Sequence, residues 1–97
     1  MHFSKEHLLG RYEWHLKNER SEFDGDATRR LFNRYNGNQV LFVINIFLIQ
    51  YDITKIEYGR KAELLLIESL PLIPMSEISV LQWLNHQFFT ASIAEHD

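Results

Sequence analysis

Residues 39–51 read QVLFVINIFLIQY, and ten of the thirteen are apolar. A run of this length is too short to span a bilayer, which takes about 20 apolar residues, so it has to lie in a core. Its β-branched and aromatic side chains favour a strand, and the Asn36-Gly37 pair just before it is a hairpin signal. Length favours a helix, because strands usually end within about 8 residues and a continuous apolar run beyond about 10 is more often a buried helix. Asn38 suits a helix N-cap, and Gly37 suits the left-handed residue that closes a preceding helix. The expectation is a central helix over about residues 38–51; the alternative is an α+β chain with a hairpin over residues 31–49.

At about 100° per residue, Val40, Ile44, Phe47 and Tyr51 form one stripe of that helix, with Leu41 and Leu48 on its flank. Phe42, Ile46 and Ile49 form a second stripe on nearly the opposite side, and Gln39, Gln50, Asn45 and Asp52 mark the edges between them. A chain of 97 residues buries only about 60–70% of its unfolded surface, so a helix in it rarely has neighbours all round. Each side chain of the second stripe left in water forgoes about 1.5–3 kcal/mol. The second face therefore wants a partner, either another helix of this chain or another chain.

The length corresponds to one domain, residues 1–97, and 45% hydrophobic with 24% charged residues is ordinary for a globular protein. Without cysteine there is neither a disulfide nor a thiolate metal site. The opening MHFSKEHLLG lacks the apolar core of a secretory signal, so a cytoplasmic location is expected. Residues 1–51 hold seven Lys/Arg against six Asp/Glu and residues 52–97 hold three against seven; the acidic second half disfavours unselective nucleic-acid binding there.

Around the central helix the chain offers further helical spacing. Ser4 is placed to cap a first helix in which Leu8, Leu9, Tyr12 and Leu16 recur to about residue 20. The loop SEFDGD follows, with Phe23 as an apolar anchor, and then Ala27, Leu31 and Tyr35 at i, i+4 and i+8 predict a short second helix up to Asn36. Thr54 and Glu57 have capping-box spacing ahead of a helix to about Leu70, where Pro71 and Pro74 stop it. Ser76 caps a last helix carrying Ile78, Leu81, Leu84 and Phe88, and the tail from Thr90 is polar enough to fray. The expected fold is all-α, a compact bundle of four to five helices.

Chemical signatures are sparse. The five histidines, His2, His7, His15, His86 and His96, never stand at i, i+4, so no metal and no cofactor is expected. Asp24-Gly25-Asp26 lacks the further oxygen ligands and closing glutamate of a calcium loop. There is no GxSxG, no cysteine nucleophile and no glycine-rich phosphate loop, so no catalytic residue is nominated and enzymatic activity is not expected. A helix-turn-helix is disfavoured, since residues 76–89 contain no Lys or Arg. The L-P-L-I-P-M connector, loosely PxxP, is expected to be a buried linker, because its leucines and isoleucine would otherwise form an exposed apolar patch.

Two interaction hypotheses follow. The first is a non-enzymatic protein that works by protein–protein interaction, as an adaptor, regulator or toxin-neutralising partner, and is expected to be a homodimer. Its surface is Phe42, Ile46 and Ile49, with Trp14, which points away from the Leu8–Tyr12–Leu16 stripe, as an outlying anchor. The alternative is a nucleic-acid-binding transcriptional regulator using Arg29, Arg30, Asn33 and Arg34, gathered on one face of the second helix.

Overall fold

The computed structural model describes residues 3–14 and 25–95, with side chains as far as residue 90. It contains a short 3-10 turn at Lys5–His7 and three α-helices: α1 (Gly37–Gln50), α2 (Ile56–Glu68) and α3 (Glu77–Glu95). Each helix packs on the other two. The shared core takes Val40, Val43, Ile44, Phe47 and Leu48 from α1, Ala62 and Leu66 from α2, and Val80, Leu84 and Phe88 from α3, closed by Phe3 and Leu70. No strand occurs among the described residues, so the fold is mostly helical and the hairpin alternative is set aside. Among the described residues the expected four to five helices are corrected to three.

The central stretch is the helix its length implied, with a different start. The Asn36 side chain accepts from the amides of Asn38 (3.1 Å) and Gln39 (3.4 Å), so the cap is Asn36 rather than Asn38. Gly37 is then the first helical residue instead of the end of a preceding helix. A Cβ there would lie 2.5 Å from the Trp14 ring, so only glycine lets the indole rest on the first turn. The helix closes through a left-handed Asp52 (φ 54°), with Asp52 N donating to Ile49 O and Ile53 N to Leu48 O. This is the double bond of a Schellman ending.

Among the described residues neither the first nor the second expected helix forms; only the 3-10 turn at Lys5–His7 is helical there. Residues 8–14 form a strap, and the rest of the first expected helix, with Phe23 and most of the following loop, falls in residues 15–24, outside the described residues. Residues 27–36 are also non-helical, despite their i, i+4 spacing. Their backbone has stronger business elsewhere. Arg30 O accepts from Glu77 N (2.9 Å) and Thr28 O from Ile78 N (3.1 Å), which satisfies donors that a helix leaves open at its start.

Two fully buried carboxylates fasten these segments. Glu63 of α2 accepts from Leu9 N (2.8 Å), Gly10 N (2.9 Å) and Tyr12 Oη (2.5 Å), holding the strap. Glu77 of α3 accepts from Thr28 N (3.0 Å), Arg30 Nε (2.9 Å) and Gln39 Nε2 (2.8 Å), holding the 27–31 segment to α1 and α3. The chain ahead of the strap is tied by Asn45, which accepts from Phe3 N (2.8 Å) and donates to Phe3 O (2.7 Å). Phe3 then lies over Gly59, where a Cβ would come within 2.3 Å of its ring. Gln39 and Asn45, polar edges on the wheel, are therefore buried and bonded.

The later helices keep to expectation at one end each. Ser76 Oγ accepts from Ser79 N (3.1 Å), capping α3, but α3 continues to Glu95 through the stretch expected to fray. The Thr54–Glu57 capping box does not form; Lys55 is the N-cap of α2 and makes no side-chain bond.

Candidate interaction surface

Residues 70–75, LPLIPM, join α2 to α3. Leu70 turns inward (5% exposed), whereas Leu72 is 87% and Ile73 65% exposed. The connector is thus not the buried linker expected of it. Its backbone explains why. Arg34 Nη2 donates to the carbonyls of Leu70 (3.2 Å) and Pro71 (2.6 Å), and Phe32 N donates to Met75 O (2.8 Å). Both ends of the connector are pinned to the 27–36 segment, and the two prolines keep it from coiling into helix, so the intervening side chains face out.

Two depressions meet at Arg34, Tyr35 and Leu72. One, about 260 Å³, is completed by Phe32, Leu70, Ile73, Pro74 and Met75. The other, about 270 Å³, has Val40, Leu66 and Ile67 on the helix side and Gly10, Arg11 and Tyr12 on the strap side. Tyr35 and Leu31 are exposed beside them. Tyr12 is held rigidly: burial, together with its hydrogen bond to Glu63 and the charge of that carboxylate, pushes the phenol far above its ordinary pKa, so it remains a donor. Burial pushes Glu77 up as well, but the hydrogen bonds from Gln39, Arg30 and Thr28 outweigh it and hold that carboxyl below its usual value.

The residues nominated from sequence are dispersed. Phe42 is half-buried, with the Arg30 guanidinium 6.0 Å from its ring centre. Ile46 is half-buried and Ile49 70% exposed; together with Ile78, Leu81, Gln82 and Asn85 they line a third, shallower depression of about 540 Å³. Trp14 is half-buried, stacked on Gly37 with the Lys5 ammonium 4.4 Å from its ring centre. The arginine face of the second helix is corrected, because residues 27–36 are not helical. Arg29 is exposed, Arg30 turns inward to Glu77, Asn33 bonds the Tyr35 amide and Arg34 pins the connector.

Sequence reasoning missed Glu63, Glu77, Tyr35, Leu72 and Ile73. A signal existed for Glu63, which shares a helix face with Gly59, Ala62 and Leu66, all buried. None existed for Glu77, whose place in a first turn is also that of an ordinary solvated carboxylate.

Among the described residues no group of three or more His, Asp or Glu is placed to hold a metal ion, and no helix is long and apolar enough to cross a membrane. No protein-family model matches the chain, and no curated protein or solved structure shows significant similarity to it.

Proposed function

We propose that the protein works without catalysis, by docking on another protein chain through the surface around Tyr35, Leu72 and Ile73, with a second copy of itself as the first partner to test. The supporting observation is the outward setting of Leu72 and Ile73 on a backbone pinned by Arg34. Contiguous exposed apolar side chains on a small protein mark interaction sites, and burying Leu72 and Ile73 in an interface recovers about 1.5–3 kcal/mol each. A second surface, Ile49 beside Ile46, Ile78 and Leu81, suits the homodimer expected from the central helix, since Ile49 is 70% exposed.

Light scattering after size exclusion, over a dilution series, separates the two. A mass of twice 11.6 kDa that is lost in Ile73→Asp and kept in Ile49→Asp places the seam at the connector; the reverse places it on α1. A wild-type monomer at high micromolar concentration removes self-association. The docking proposal then rests on a different partner, captured by wild type and released by Ile73→Asp.

A further inference from the structure

The 270 Å³ depression between strap and α2 differs from the two other depressions in what surrounds it. Its inner wall is apolar and buried, with Val40 1% and Leu66 2% exposed. Its lining also includes two arginines, Arg11 and Arg34, and none of its nine lining residues is acidic. Arg34 spends only Nη2 on the connector carbonyls, leaving donors on Nε and Nη1. The nearby carboxylate, Glu63, is fully buried behind the strap and occupied by Leu9 N, Gly10 N and Tyr12 Oη.

Gly10 keeps this space open. Its backbone is not left-handed, so a side chain there is conformationally allowed, yet a Cβ would stand 3.0 Å from Ile67 Cδ1 and 3.1 Å from Tyr12 Oη. A larger side chain at position 10 fills the gap between strap and helix. An apolar wall with a few polar groups is the general form of a small-molecule site, although at about 270 Å³ this one falls just below the usual range of roughly 300–1,000 Å³.

From this arrangement we infer that the depression binds a small amphipathic carboxylate, with its hydrocarbon body against Val40, Leu66 and Ile67 and its carboxylate between Arg11 and Arg34. Charge-assisted hydrogen bonds from guanidinium to carboxylate set the head-group preference, and burial of the chain sets the affinity. Tyr35 and Leu72 belong both to this depression and to the proposed docking surface, so the titration is run on wild type and on Ile73→Asp, which disrupts docking and keeps all nine lining residues.

The test is calorimetric titration of the full chain with sodium octanoate, and with octan-1-ol as an uncharged body of the same length. Octanoate is expected to bind saturably at one site, about tenfold or more tighter than octanol. Affinity should rise about fourfold for each methylene that enters the wall in a series of shorter acids. Arg11→Glu, at an exposed position, should weaken octanoate about tenfold and leave octanol unchanged. Gly10→Val should abolish binding of both; if its thermal melt shows that it fails to fold, Ile67→Gln, at a position 44% exposed, replaces it and should weaken both. No saturable heat up to about 5 mM octanoate, equal affinity for acid and alcohol, or undiminished binding in the folded cavity variant overturns the assignment.

Discussion

Glu63 and Glu77 perform one task by different means. Each is a fully buried glutamate on a helix, and each fastens a non-helical segment about fifty residues earlier in the chain. Glu77 lies in the first turn of α3, where the helix dipole favours a negative charge, and the Arg30 guanidinium pairs with it at 2.9 Å. Glu63 lies in the middle of α2, where the dipole offers nothing, and its partners among the described residues are two amides and a phenol, all uncharged. A charge buried among neutral dipoles depends on every donor being in place. A charge buried against a cation has a second source of stability that tolerates looser geometry.

The largest effect expected from this contrast is at Glu63. Glu63→Ala leaves the Leu9 and Gly10 amides and the Tyr12 hydroxyl without their acceptor and opens a cavity in α2, at a cost of about 3–5 kcal/mol. Chemical denaturation measures the loss, and early hydrogen exchange at Leu9 and Gly10 identifies the strap as the part released. A cost below that of Glu77→Ala would break the contrast.

Glu77→Ala should cost about 2–4 kcal/mol, and here pH provides the sharper test. The folded carboxyl titrates below its unfolded value, so its contribution is complete above the ordinary carboxylate range and is lost as pH falls through the folded pKa. Glu77→Gln should therefore be less stable than wild type at neutral pH and lose less stability between about pH 5 and pH 2. Parallel acid limbs for the two proteins would show that Glu77 is not the group responsible.

Tyr12→Phe removes one of the donors to Glu63 and keeps the ring, so about 1–3 kcal/mol is expected. Because the partner lost is neutral, the effect should be insensitive to added salt, whereas Arg30→Ala should cost less as salt rises. The smallest effect is a control remote from both glutamates. Asp52→Gly relieves a left-handed residue at the end of α1 and should be neutral or stabilising by up to about 1 kcal/mol, read as a rise in melting temperature.

The same contrast explains what could be read in the amino-acid order. The central helix was legible because ten apolar residues in thirteen leave few alternatives, and α3 was legible from Ser76 onward. The strap and the 27–36 segment were not. Their leucines and tyrosines have helical spacing, and nothing local says that Glu63 and Glu77, far along the chain, claim their amides. The connector failed in the opposite sense. Leu72 and Ile73 resemble core residues, and only the Arg34 contacts with Leu70 and Pro71 show that the backbone turns them outward. Of the Phe42–Ile46–Ile49 stripe, Phe42 packs against the core and Ile49 is left outside.

The bonds from Phe3 to Asn45 and from Leu9 to Glu63 span 42 and 54 residues. On the ribosome, where chains grow at about 5–20 residues per second, the strap therefore exists for several seconds before its acceptors have been made. During that interval Phe3, Leu8, Leu9 and Tyr12 wait for their partners, so a segment synthesised before the helices is seated only after them. For residues 3–14 exposure to chaperones and proteases thus closes only when α2 has emerged and folded against α1.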